Sequence, residues 1–145
     1  MQGEQKTLPA WMTTLDHTAD EGVEVHASSL AELFERTAWA MFSLLADMTA
    51  VRPAERQVLC VEATDREALL VRWLSELNFL HQTEHQVYSR FNILEMCDTR
   101  LMAEVWGEAI AVCHRVHKEF KAVTFCGLSI REEAHEWTAR VLFDV

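Results

Sequence analysis

Two carboxylate-bearing segments carry the chemistry most open to interpretation in this chain: Asp16-His17-Thr18-Ala19-Asp20-Glu21-Gly22 near its start and Arg140-Val141-Leu142-Phe143-Asp144-Val145 at its end. Brought side by side by a sheet, the Asp20 and Asp144 side chains and the α-carboxylate of Val145 form an all-oxygen cluster. That donor set suits a hard divalent cation, and calcium, magnesium and manganese are all compatible with it. Calcium takes about six to eight oxygens, so three carboxylates leave positions for water and backbone carbonyls, and an open site of this kind binds with a Kd on the order of 10⁻⁵ to 10⁻³ M. A second string, Phe120-Lys121-Ala122-Val123-Thr124-Phe125, sets a lysine inside an apolar run. Lys121 reads either as a contact to a nucleotide, a partner or the carboxylate cluster, or as an ion-pair partner that neutralises Asp16 or Asp20. Asp16 either orients its turn through an Asx-type hydrogen bond or stands as an outer ligand of the cation.

Other reactive residue types have plainer readings. His81 and His85 lie four apart near a helix end and His114 and His117 three apart, so each pair is half of a zinc site without an evident third ligand. Polar surface histidines, some helping a helix to end, are the expectation. Trp39 and Trp73 are expected to pack on their helix stripes. The four cysteines, Cys60, Cys97, Cys113 and Cys126, lack C-x-x-C spacing and mostly occupy apolar stretches, where a reduced thiol behaves as a small hydrophobe.

These residues need elements to position them. Val23, Val25 and Ala27 alternate with Glu24 and His26, the period of a half-buried strand over 22–27. Ser29-Leu30-Ala31-Glu32 offers a capping box, and Leu30, Leu33, Phe34, Ala38, Met41, Leu44 and Leu45 continue at helical spacing to about Asp47. Arg52-Pro53 marks a break before a strand at 57–63. Thr64-Asp65-Arg66-Glu67 reads as a second capping box, opening a helix through Leu69, Leu70, Trp73, Leu74, Leu77 and Leu80 to about Thr83. Asp65, at that helix start, stabilises the helix dipole by roughly 0.3–1 kcal/mol. Short strands follow at 88–95, 101–110, 124–131 and 136–143. The economical arrangement is α+β: a single domain in which two amphipathic helices, each with one stripe to bury, pack on a largely antiparallel or mixed β-sheet. In such a sheet the last strand can lie beside an early one and carry Asp144 toward the Asp16 to Gly22 turn.

Composition sets the outer bounds. At 145 residues, with 50% hydrophobic and 25% charged residues and only two prolines, the chain reads as one compact domain over 11–145 behind a flexible segment at 1–10. A net charge of −10 with 13 Lys and Arg argues against stable direct nucleic-acid binding, because phosphate neutralisation needs clustered cations. No apolar run approaches the roughly 18 residues of a membrane span, and no leader pattern opens the chain, so a cytoplasmic location with no membrane partner is expected.

The string Asp-His-Thr-Ala-Asp-Glu-Gly at 16–22, the helix Leu-Leu-Val-Arg-Trp-Leu-Ser-Glu-Leu-Asn-Phe-Leu at 69–80, Gly107-Glu108, Lys-Ala-Val-Thr-Phe at 121–125 and the terminal Phe-Asp-Val together resemble the archease family over residues 15–145. The resemblance implies a small α+β protein, itself not an enzyme, that assists an RtcB-type RNA ligase in tRNA splicing or RNA repair. It implies promotion of the ligase's covalent histidine–GMP intermediate, restored turnover, and a bound divalent cation, calcium in the family. Residue by residue, the cation ligands fall on Asp20, Asp144 and the Val145 carboxylate, and the family's lysine on Lys121. An Asp at the place of Asp65 is common in the family and has been proposed as functional. The chain departs from the pattern at Cys126, where the family usually has His after the aromatic residue, and at Ala111 or a neighbour, where an Asp commonly follows Gly-Glu.

Three classes of function stay in view: an accessory protein of an RNA ligase, a general chaperone or oligomeric scaffold, and a metal-dependent hydrolase. The last lacks an evident nucleophile–base pair or two-metal ligand set. A homo-oligomer is compatible with all three.

Overall fold

The computed structural model describes residues 8–16, Asp16 by its backbone alone, and 20–145. Residues 1–7 of the expected flexible segment and the His17-Thr18-Ala19 turn lie outside the described residues. In chain order the elements are β1 (Met12–Asp16), β2 (Asp20–Ala27), α1 (Leu30–Leu45), β3 (Glu55–Glu62), α2 (Arg66–Glu84), β4 (Gln86–Met96), β5 (Arg100–Ala109), β6 (Ala122–Glu133) and β7 (Glu136–Asp144), with short 3₁₀ turns at Met48–Ala50 and Val112–His114. The class is α+β, as the alternating patterns predict.

The strands form two antiparallel sheets rather than one, a four-stranded sheet ordered β1-β2-β7-β6 and a three-stranded sheet ordered β3-β5-β4. Each helix touches both: α1 packs on β2 and β4, and α2 on β6, β3 and β4. Residues buried along α1 accordingly include Leu33, Phe34, Ala38, Ala40, Met41 and Phe42, an arc wider than the single stripe expected from spacing. The Trp73 indole, fully buried, donates to the Phe34 carbonyl at 3.0 Å and ties α2 to α1. Trp39 is partly buried and meets Trp11 edge to face.

Local capping sets where the helices begin and end. Ser29 caps α1 by accepting the Glu32 N–H at 3.1 Å, while the Glu32 carboxylate reaches back to the N–H and hydroxyl of Ser28 rather than to Ser29. Those Ser28 hydrogen bonds, the backbone one foremost, hold the Glu32 carboxyl below its usual range. The helix stops at Leu45, short of Asp47, because the Asp47 carboxylate caps the following 3₁₀ turn through the Thr49 N–H at 3.1 Å. In α2 the cap is Asp65, not Thr64: its carboxylate accepts the Ala68 N–H at 2.8 Å. That helix ends on His85 in the left-handed conformation, φ 55°.

Two expectations about side chains are corrected. All four cysteines are exposed, because strand alternation turns Cys60 outward between the buried Leu59 and Val61, and Cys97, Cys113 and Cys126 lie in or beside turns and a bulge. His81 and His114 are buried rather than on the surface, each with ring nitrogens hydrogen bonded: His81 Nδ1 to the Gln86 carbonyl at 2.7 Å, and His114 Nε2 to Glu108 at 2.8 Å. Burial pushes the His81 pKa down, toward the neutral ring.

Candidate functional site

The β2–β7 ladder puts Asp20 directly opposite Asp144, although 123 residues separate them in the chain between. Opposed residues of an antiparallel pair project to one face with Cβ atoms about 4.5–5.5 Å apart, and like charges so placed repel. On the other edge of β7, Ala122 pairs with Asp144 and the Lys121 N–H donates to the Asp144 carbonyl at 2.8 Å. Val145 follows, half-exposed. Asp20, Asp144, Val145 and Lys121 therefore share one end of the four-stranded sheet. Asp16 pairs with Glu21 across the β1–β2 ladder, one register step further into the sheet than Asp20 and Asp144, and its side chain lies outside the described residues.

Why this end is built so closely follows from Gly22. It sits on the inner strand β2, facing Leu15 on one side and Leu142 on the other. A Cβ there would lie 2.5 Å from Leu142 Cδ2 and 2.8 Å from the Val141 carbonyl oxygen, so only glycine lets β1, β2 and β7 approach at this level. Strand alternation then sends Val23, Val25, Val141 and Phe143 to the core and Asp20 and Asp144 to the opposite face.

Lys121 is exposed and forms no ion pair with a described residue. The cation beside the cluster that does pair is Lys118, whose ammonium binds both oxygens of Glu21, at 2.6 and 2.9 Å. Sequence reasoning missed this pair because its members lie 97 positions apart and neither belongs to a local pattern. It missed equally the support beneath Lys121. The Phe120 carbonyl accepts from Asn78 Nδ2 at 2.9 Å and from Gln82 Nε2 at 2.5 Å, while the Phe120 ring stacks on Phe143 at 4.6 Å between centroids. Through α2 and this stack, the segment leading to Lys121 and the end of β7 that carries Asp144 are fixed to the core.

Asp65 stands apart. The guanidinium of its neighbour Arg66 lies over Trp137, 4.9 Å from the ring, at the opposite end of β7 from Asp144. Seven residues of strand at about 3.4 Å each put some 24 Å between these two positions. The structure gives Asp65 a helix cap and does not bring it to the carboxylates.

Gly107-Glu108 also lies in a separate assembly. A Cβ on Gly107 would collide with the Val87 carbonyl, which accounts for glycine there. Glu108 accepts the Arg52 backbone N–H at 3.0 Å, the His114 ring at 2.8 Å and the Arg52 side chain at 3.3 Å, and these bonds hold its carboxyl at about 2. Because His114 Nδ1 accepts the Ala111 N–H at 2.8 Å, the ring proton sits on Nε2 and points at Glu108. Ala111 thus contributes its backbone to this network.

Among the described residues no three His, Cys, Asp or Glu side chains gather closely enough to hold a metal ion by themselves, and neither histidine pair joins such a cluster. The described donors at the β2–β7 end are the two opposed side-chain carboxylates of Asp20 and Asp144, with Val145 next in sequence. This set fits a hard cation's preference for oxygen, as an open half-cage that needs further oxygen ligands. Among the described residues no helix is long and apolar enough to cross a membrane.

Comparison with known proteins agrees with this architecture. Residues 12–145 match the Archease protein family. The chain is 37% identical over 133 residues to the protein archease of Methanothermobacter thermautotrophicus, covering 90% of this chain and 95% of that one. To the protein archease of Thermococcus gammatolerans it is 34% identical over 135 residues, with the same two coverages. The solution structure of Methanobacterium thermoautotrophicum protein 1598 superimposes with a TM-score of 0.77 at 34% identity, covering 93% of this chain and 99% of that one. The crystal structure of a Thermotoga maritima archease, described as a possible chaperone, superimposes with a TM-score of 0.58 at 16% identity, over 99% and 100% of the two chains, and shares the fold.

Proposed function

The chain belongs to the archease family, and from that premise we propose that it is a non-catalytic accessory protein of an RtcB-type RNA ligase, holding a divalent cation and promoting guanylylation and turnover of the ligase in tRNA splicing or RNA repair. The observation that carries this reading is the opposition of Asp20 and Asp144 across the β2–β7 ladder, with Val145 next in the chain. Two carboxylates facing each other are unfavourable alone and favourable around a cation. Asp20, Asp144 and the Val145 carboxylate would hold the ion, calcium first and magnesium or manganese as alternatives. Held there, a divalent cation would supply neutralisation of phosphate charge to nucleotidyl transfer.

The residues of the chain supply position. Gly22 keeps β2 against β7, the Lys121 N–H pins the Asp144 backbone, and Asn78 with Gln82 fixes the Phe120 carbonyl just before Lys121. The Lys121 ammonium, exposed on the same end, is placed to meet a nucleotide phosphate or an acidic group of the ligase. Net charge of −10 steers this protein toward a basic face, such as one that binds RNA and GTP.

GTP-dependent guanylylation of a cognate RtcB-type ligase, followed with and without this protein, tests the proposal. Stimulation by the wild type that is lost in folded Asp20→Ala and Asp144→Ala supports it. An inert wild type refutes it, and suppression of aggregation of unrelated proteins would then turn the reading to a general chaperone.

A further inference from the structure

Strand β6 leaves regular pairing beside the carboxylate end. Thr124 pairs with Leu142, and pairing resumes only at Ser129 with Arg140, so residues 125–128 face the single Val141 of β7. The extra residues form a bulge rather than a frayed edge. Gly127 takes φ 73°, and a Cβ on it would stand 3.2 Å from Leu142 Cδ1, so the bulge lies over Leu142 and helps leave it only 5% exposed. The Cys126 N–H donates to Thr124 Oγ1 at 2.8 Å and fixes the start of the loop, and Leu128 packs back on the core. Leu142 precedes Asp144 by two residues on the same face, about 7 Å along the strand. The bulge is therefore held against the face that carries Asp20 and Asp144.

What this device presents is Phe125, 61% exposed. A phenyl ring in water on a fixed loop is the arrangement of a binding anchor: it has apolar area to bury and little loop entropy to lose. The sheet end beside it carries Asp20 and Asp144 together with the exposed Lys121, in a chain of net charge −10, so the protein face that complements it is basic overall. A net charge of −10 with only 13 Lys and Arg disfavours phosphate backbone, and it sets a second copy of the same acidic chain against like charge. We infer that Phe125, presented by the 125–128 bulge, is the apolar anchor of a protein docking surface that joins it to the Asp20–Asp144 end, and that its occupant is a basic protein face with an apolar pocket. This rests on the function proposed above, which makes that face part of the ligase.

The test is the affinity of the cognate ligase for wild type, Phe125→Ser, Asp20→Asn and, as a control, Val58→Ser, which alters an exposed apolar residue on the outer face of the other sheet. Each is measured at low and at high salt, with thermal melts to confirm folding. The inference expects Phe125→Ser to weaken binding about tenfold or more at both salts. It expects Asp20→Asn to reduce the salt dependence and Val58→Ser to change neither. Wild-type binding that is retained in full by Phe125→Ser overturns the anchor while leaving the ligase reading intact. No wild-type binding at all overturns the ligase reading, and the anchor with it. A wild-type dimer that Phe125→Ser converts to a monomer, with ligase affinity unchanged, assigns the ring to self-association and also overturns the inference.

Discussion

Gly22→Ala separates two opposite expectations. Inside a strand, replacing glycine by alanine ordinarily stabilises by about 0.5–1 kcal/mol, since glycine loses more conformational freedom on folding. Here the added Cβ falls 2.5 Å from Leu142 Cδ2, 2.8 Å from the Val141 carbonyl oxygen and 3.5 Å from Leu15 Cβ. Leu142 is buried beneath the β6 bulge and has little room to turn, and the carbonyl belongs to the paired strand and cannot turn at all. Overpacking of this kind costs about 1–3 kcal/mol, and a clash with backbone places Gly22→Ala in the upper half, about 2–3 kcal/mol. At this chain size 1 kcal/mol moves Tm by roughly 2–4 °C, so Tm should fall by about 4–12 °C. Calorimetric or circular-dichroism melts read this directly, with urea unfolding to give the free energy. The cause can be checked with Leu142→Val, which removes one of the two clashing groups: the double variant should recover part of the loss, a coupling of about 0.5 kcal/mol or more. A Gly22→Ala protein as stable as wild type would refute the close approach of β2 and β7 on which the site geometry depends.

Three further outcomes follow from named contacts. Glu108 has its folded pKa at about 2, below the ordinary 4.5, so its contribution is complete above about pH 4.5 and is lost as pH falls toward 2; Glu108→Gln should flatten that acid limb of the urea midpoint against pH, and an unchanged limb would contradict the network. Asp65→Ala should cost roughly 0.5–2 kcal/mol in urea unfolding while Asp65→Ser keeps most of the cap, and ligase stimulation should persist in both; lost stimulation in a stable Asp65→Ser would show a role beyond capping. Asn78 Oδ1 is buried without a hydrogen-bond partner among the described residues, so Asn78→Leu should change stability by less than about 1 kcal/mol, the lost bond being offset by the removed orphan. Adding Gln82→Leu leaves the buried Phe120 carbonyl without either side-chain donor and should cost about 1–3 kcal/mol beyond the sum of the two single changes; strict additivity would refute the shared acceptor.

Local order was legible in the sequence where local chemistry sets it. Alternation at Val23, Val25 and Ala27 marks β2, and Ser29 marks the start of α1 correctly. The second cap is displaced by one residue, to Asp65, since Thr64 and Asp65 are both competent and only the backbone angle chooses between them. The end of α2 carries no glycine signal because His85 adopts the left-handed conformation itself. Strand β1, Met12–Asp16, passed unnoticed because Thr13, Thr14 and Leu15 give no clean alternation. Pairing between distant strands lies beyond a single sequence: a sheet edge that joins Asp20 to Asp144 could be conjectured from two acidic termini, but nothing local divides the seven strands into two sheets. The same distance hides Lys118 from Glu21 and Asn78 from Phe120. His114 looked like a surface residue because the carboxylate that makes its burial affordable, Glu108, is recognised only once the 108–114 segment is folded.

The measurement that bears most directly on the central claim is calcium binding by isothermal titration to the wild type, Asp20→Asn, Asp144→Asn and a variant with both changes, with magnesium and manganese titrated alongside. The account predicts one oxygen-ligand site with a Kd on the order of 10⁻⁵ to 10⁻³ M, weakened by either single change and abolished by both, with the folded state intact in every variant. Binding of the same strength in the double variant, or no binding by the wild type to any of the three ions at millimolar concentration, would contradict it.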